Sequence, residues 1–133
     1  MKKEFSINWK RSKIPKKQRK YRYMAPLHIK QKFLHVHLSK ELKKKYNRRN
    51  LGLKKGDKVK MVRGQFKKQM GKVDRIDLKR TKVYISGIEI IKKDGSKTNY
   101  PIDPSNLVIT ELNLDDKMRQ KILDRKLKTE EKK

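Results

Sequence analysis

Between residues 51 and 111 apolar and polar positions alternate with a period of two. Val59 and Met61, Val73, Val83 and Ile85, Ile88 and Ile90, and Leu107 and Ile109 each stand beside polar neighbours, the mark of strands buried on one face. Turn-forming residues divide the segment at Gly56-Asp57, Arg63-Gly64, Gly71, Ser86-Gly87, Asp94-Gly95, Pro101 and Pro104. The pattern predicts strands over Asp57 to Arg63, Gly71 to Asp77, Lys82 to Ser86, Glu89 to Lys92, Lys97 to Tyr100 and Leu107 to Glu111. Asp94-Gly95 is the firmest turn, because so tight a hairpin needs positive φ and these residues tolerate it. As an open sheet, strands this short would expose long edges, so a small closed or nearly closed barrel is expected.

On either side the period becomes helical. Pro26 suits the first turn of a helix carrying Leu27, Phe33 and Leu34, and Ser39 caps a second, with Glu41 in its first turn and Lys43, Lys44 and Lys45 in its last. After the strands, Asp115 and Asp116 open a helix from Asp115 to Lys128. Its apolar stripe, Met118, Ile122, Leu123 and Leu127, should dock on the barrel or be covered by a neighbouring protein, and Thr129 to Lys133 should fray. The expected fold is mainly β. Residues 1–25 form a basic arm, 26–50 a short helical extension, 51–112 the barrel, and 113–133 the C-terminal helix and tail.

Charge changes this picture. The 133 residues include 41 Lys and Arg against 14 Asp and Glu, a net charge of +27. Such self-repulsion requires a polyanionic counterpart and argues against a free-standing small-molecule enzyme. The excess lies at the front: residues 1–50 hold 18 basic and 2 acidic residues, residues 111–133 only 8 and 6. The stretch from Lys10 to Arg22 is too poor in apolar groups to collapse alone, and should stay disordered until an anion orders it. A solvated tail is the bland alternative, but Trp9, Tyr21 and Tyr23 interleave the cations and supply rings on which unpaired bases stack. A membrane-surface arm would need an apolar helical face, which this stretch lacks. No apolar run reaches a membrane span, so no membrane insertion is expected. Without cysteine there is neither a disulfide framework nor a thiolate metal site.

The candidate chemistry is that of nucleic-acid binding. In the arm and extension the contact candidates are Lys13, Lys16, Lys17, Arg19, Lys20, Tyr21, Arg22, Tyr23, His28, Lys30 and Lys32. On the barrel side they are Arg48, Arg49, Arg63, Lys67, Lys68, Lys72, Lys79 and Arg80, expected to cluster at strand ends and in the loops between the first three strands. Of His28, His35 and His37, the His-x-His pair at 35 and 37 offers two imidazoles without a third ligand of suitable type nearby, so no metal is expected. They remain candidates for phosphate or sugar contact, or simple surface residues. Gly56, Gly64 and Gly71 are read as turn glycines, since no P-loop pattern occurs. Asp57, Asp74 and Asp77 are read as surface ion-pair partners rather than acid catalysts. No catalytic residue and no cofactor is expected.

The run LKKGDKVKMVRGQFKKQMGKVDRIDLKRTKVYISGI, from Leu53 to Ile88, resembles a KOW motif in an SH3-like barrel. With DGSKTNYPIDPSNLVITELNL, SKIPKKQRKYRYMAPLHI and HLSKELKKKYNRRN, the chain from about Ser12 to Leu127 resembles the archaeal and eukaryotic L-twenty-four family of large-subunit ribosomal proteins. One departure stands out. The family usually has a glycine, and often an acidic residue, in the turn before the second strand. Here the turn is Gln65 to Met70, and if it needs positive φ at Lys68 the lysine costs about 1 kcal/mol or more.

The resemblance implies a non-enzymatic constituent of the large ribosomal subunit, cytoplasmic within the ribosome. It implies binding to ribosomal RNA, neighbouring ribosomal proteins as partners, early action in assembly, and a place near the outlet of the nascent-peptide tunnel. It makes the basic stretch from Ser12 onward an RNA-penetrating arm rather than a transit peptide, and leaves Met1 to Arg11 unaccounted for. No small-molecule substrate and no homo-oligomer is expected. The alternative is a KOW-type transcription or RNA-processing factor binding transcripts or polymerase.

Overall fold

A computed structural model describes residues 5–130 of the chain, with side chains through residue 125. Eight strands form: β1 (His35–Leu38), β2 (Asn50–Gly52), β3 (Lys58–Met61), β4 (Met70–Asp77), β5 (Lys82–Ile85), β6 (Glu89–Ile91), β7 (Lys97–Asn99) and β8 (Leu107–Glu111). The helices are α1 (Pro15–Met24), α2 (Leu27–Phe33), α3 (Lys40–Tyr46) and α4 (Lys117–Glu130).

The period-two positions build the core. Val59 pairs with Ile109 and Met61 with Leu107 across β3 and β8, and all four are buried with Val73, Val83, Ile85 and Ile88. The sheet runs β2-β1-β8-β3-β4-β5. Its ring closes through one bridge: Val83 and Ile102 exchange two 2.9 Å backbone hydrogen bonds. The 3-10 turn Pro104–Asn106 then feeds β8 back to β3. The expected mainly-β barrel with short helices around it is the fold observed.

Several expectations change. Residues 26–50, read as a helical extension, also contribute β1 and β2, so the division at residue 50 falls inside β2. The alternation His35-Val36-His37-Leu38 buries Val36 and Leu38, but four residues are too few to override the helical signal around them. Its parallel pairing with β8, His37 opposite Val108, joins segments remote in sequence. Ile90, expected in the core, is 41% exposed, because every residue of β6 and β7 is exposed and the hairpin projects from the barrel. At its tip Gly95 takes φ 81. The Ser96 hydroxyl and amide, both bonded to Asp94, hold the Asp94 carboxyl below the usual carboxylate range.

Gly71 is a strand residue of β4 rather than a turn glycine. A Cβ there would lie 2.5 Å from Ile85 Cγ2 and 2.9 Å from the Ser86 carbonyl oxygen, so only glycine lets β5 approach so closely. Gly56 and Gly64 keep the turn role, with φ 92 and 89.

The arm, expected to lack structure until bound, carries a 3-10 turn at Ile7–Arg11 and α1. Pro15 starts α1 at a position that sacrifices no hydrogen bond. A second apolar cluster then holds it: Tyr21, Ala25 and Ile29 are buried, with Phe5, Trp9 and Phe33 packed around them. The Gln18 amide ties the preceding turn down by donating to the carbonyls of Lys10 (2.9 Å) and Ser12. Composition understated this cluster because its members are spread thinly among cations.

Candidate nucleic-acid interface

The β3–β4 loop presents the first group of cations. Lys68 takes φ 74, the left-handed conformation in which a lysine is strained. Its N–H donates to the Met61 carbonyl at 2.9 Å, and the Met61 N–H donates to the Gln69 carbonyl at 2.9 Å, closing the hairpin one step past regular pairing. Phe66 anchors the loop from below against Tyr100, with ring centroids 5.2 Å apart. Arg63, Lys67 and Lys68 are left exposed on the rim.

The second group lies at the other end of β4. In the β4–β5 hairpin, Asp77 Oδ1 accepts the Arg80 N–H at 2.9 Å, and Thr81 takes φ 54. Lys79 and Arg80 are therefore pushed outward and exposed. The Lys30 ammonium donates to the Lys79 carbonyl at 3.0 Å, which fixes α2 beside this hairpin. Eight residues of β4 separate the two loops, about 25 Å of strand. The loop cations thus sit in the connections between β3, β4 and β5, as expected, and the antiparallel course of β4 puts the two loops at opposite ends. Lys72, opposite Lys58, lies along the strands between them. Arg48 and Arg49 follow α3, where Asn47 ends the helix in the left-handed conformation, φ 43.

In the arm, Lys13, Lys16, Lys17, Arg19, Lys20 and Arg22 are exposed, as are His28 and Lys32 on α2. The three aromatics divide by role. Tyr23 is 80% exposed and free to stack on a base. Tyr21 is 8% exposed, its ring 5.3 Å from Phe5 and 5.9 Å from Phe33, so it serves packing and cannot present a face to RNA. Trp9 is half-buried, with the Lys20 ammonium 4.7 Å from its ring centroid.

The acidic residues also divide. Asp74 makes the expected exposed contact, 3.6 Å from Lys55, whereas Asp77 shapes its hairpin. Asp57 differs: it is fully buried, where a surface ion pair was expected, and faces Arg119, itself 3% exposed. Arg119 was missed because it stands within an apolar stripe. Helix α4 turns to bury Arg119 and Leu123, leaving Met118 63% and Ile122 40% exposed, so of the two expected fates of the stripe these two residues do not dock on the barrel. The Leu127 side chain, and the tail beyond residue 130, lie outside the described residues. Arg75 was missed as well; its guanidinium covers the Tyr84 ring at 4.3 Å, and only cross-strand pairing reveals it.

His35 and His37 point outward from one face of β1. Among the described residues no group of three or more His, Cys, Asp or Glu is placed to hold a metal, and no helix is long and apolar enough to cross a membrane.

A family model described as ribosomal proteins L26, eukaryotic, and L24, archaeal, matches residues 12–126. The large ribosomal subunit protein uL24 of Methanosphaera stadtmanae is 50% identical over 116 residues, covering 87% of this chain and 99% of that protein. The proteins of the same name from Methanothrix thermoacetophila and Methanoculleus marisnigri are each 47% identical. The first match spans 114 residues, 86% of this chain and 98% of the relative, and the second 112 residues, 84% and 93%. With its ring of short strands, its projecting hairpin and its cationic ends, the chain belongs to the family of ribosomal proteins that includes eukaryotic L26 and archaeal L24.

Proposed function

We propose that this chain is a structural constituent of the large ribosomal subunit that binds ribosomal RNA through phosphate and shape contacts. One observation carries the reading. Among the described residues, the ion pairs engage Lys54, Lys55, Lys58, Lys82 and Arg119, and none engages a cation expected to contact RNA. A chain of net charge +27 whose contact cations have no carboxylate partner among the described residues is completed by an external polyanion. Two loops about 25 Å apart along β4, with Lys30 of α2 tied to one of them, suit contact with more than one RNA helix. Such a bridge would join helices early in subunit assembly. By kinship with the family, the chain would lie near the outlet of the nascent-peptide tunnel, among other ribosomal proteins.

Sucrose-gradient sedimentation at low and high salt tests this. The expected result is stable co-migration with large subunits. Co-migration with RNA polymerase instead would overturn it in favour of a KOW-type transcription or RNA-processing factor. With purified RNA, six neutralised phosphates should give a log–log salt slope of about −4 on single strands.

A further inference from the structure

Helix α4, the β4–β5 hairpin and the segment after α3 enclose a groove of about 1020 Å³, at the upper end of the roughly 300–1,000 Å³ of small-ligand sites. One wall is aliphatic. Leu78, Met118 and Ile122 line it and are 39%, 63% and 40% exposed, with no aromatic ring among the lining residues other than the His35 imidazole. The lining also carries the polar side chains of Gln31, His35 and Asn50. Arg48 and Arg49 also line the groove, and neither forms an ion pair among the described residues. The carboxylate in the lining, Asp116, is already engaged by the Lys54 ammonium and by the Met118 N–H at 2.8 Å.

We propose that this groove receives an unpaired nucleotide of the ribosomal RNA, a site that deepens the rRNA-binding reading and rests on it. The base lies flat against Leu78, Met118 and Ile122, its edge faces Gln31, His35 and Asn50, and the flanking phosphates meet Arg48 and Arg49. Charge selects this occupant. An apolar segment of a basic or neutral protein would gain nothing from two guanidiniums without carboxylate partners, whereas a nucleotide satisfies the wall and both guanidiniums together. A duplex cannot enter, since its bases are stacked and its charge lies outside, so the site takes a splayed single-stranded residue.

The test titrates the full chain with protein-free large-subunit ribosomal RNA, comparing wild type with Ile122→Glu. Ile91→Glu serves as the control for added charge, because Ile91 is 69% exposed on β6 and does not line the groove. Ile122→Glu should weaken binding about tenfold with the salt slope unchanged, since an apolar contact rather than a phosphate contact is lost. Ile91→Glu should have a much smaller effect. Ultraviolet crosslinking of the wild-type complex, read by mass spectrometry, should place nucleotide adducts on the peptide containing Met118 or His35. Equal losses in both variants would overturn the proposal. So would wild-type affinity in Ile122→Glu with adducts only elsewhere, although RNA binding itself would then stand. Normal RNA affinity combined with failure to enter subunits would assign the groove to a protein neighbour and also overturn it. A wild-type chain that does not prefer ribosomal RNA over an unrelated duplex would sink the underlying reading instead. Should Ile122→Glu melt at a lower temperature, Leu78→Glu on the hairpin gives the same measurement.

Discussion

The carboxylate of Asp57 and the guanidinium of Arg119 meet in parallel inside the protein, with Nη1 2.6 Å from Oδ1 and Nη2 2.7 Å from Oδ2. Asp57 also accepts the N–H groups of Lys54 and Asn113 at 2.8 and 2.9 Å. Arg119 donates further to the carbonyls of Asn113 and Gly52, at 2.8 and 3.1 Å. One ion pair therefore joins the turn before β3, the end of β2, the segment after β8 and the first turn of α4. It also fixes the wall of the groove, because the rotation of α4 that buries Arg119 turns Met118 and Ile122 outward.

Arg119→Met should destabilise the chain by about 3–5 kcal/mol, because it leaves a carboxylate buried without its cation. The measurement is urea unfolding, where the midpoint should fall at constant slope. Replacing both residues, as Asp57→Asn with Arg119→Met, should recover part of the loss. A change below about 1 kcal/mol in the single variant would show that α4 is held by its apolar contacts instead.

Gly71→Ala should cost about 1–3 kcal/mol, since the new methyl meets both the Ile85 side chain and the Ser86 carbonyl. Adding Ile85→Val should give no relief, because valine keeps the γ-methyl that the new Cβ meets and the backbone oxygen stays in place. Thermal melting of both variants checks this, and an unchanged midpoint would mean that the β4–β5 approach is looser than the structure shows.

Lys68→Gly should stabilise the chain by about 1 kcal/mol, because a side chain at φ 74 is strained and glycine is not. RNA binding should move the other way: losing one phosphate contact makes the salt slope shallower by about 0.7. A lysine kept at such a cost would mark a residue selected for its partner. Unaltered RNA binding would make it a tolerated accident.

Tyr21 and Tyr23 are two positions apart and should behave oppositely. Helix α1 has ten residues, five of them cations, which is shorter than the about 12–15 residues an isolated helix needs in water. Tyr21→Ala should therefore reduce far-ultraviolet helical signal in the free chain by loosening the arm. Tyr23→Ala should leave that signal intact and weaken RNA binding by about 1–3 kcal/mol, the worth of one stacked base. Circular dichroism and binding isotherms on both variants separate packing from recognition.

Neutralising Lys16, Lys17, Arg19 and Lys20 together should weaken RNA binding and make the salt slope shallower by about 3, at about 0.7 for each phosphate released. An unchanged slope would make the arm a passenger.

Local chemistry determined much of this protein by itself. The alternation at Val59, Met61, Leu107 and Ile109 specifies strands because the side-chain period of two leaves no other way to bury one face. Ser39 and the lysines from 43 to 45 write α3 directly, and the Ser39 hydroxyl accepts the Leu42 N–H at 3.3 Å as a cap should. The excess of cations over carboxylates states the nature of the partner, because charge is additive along a chain and needs no fold to be counted.

Long-range placement decided the rest. Whether Asp57 lay on the surface or in the interior depended on Arg119, 62 positions away, and nothing in the few residues around either one encodes their meeting. The role of Gly71 depended on Ile85, that of Tyr21 on Phe5 and Phe33, and the separation of the cations into two ends on the length of β4. The groove exists only because α4 rotates about a buried salt bridge. Periodicity and capping are energies between neighbours in the chain, and so the sequence displays them. Burial, close approach and exposure are energies between neighbours in space, which only the folded molecule brings together.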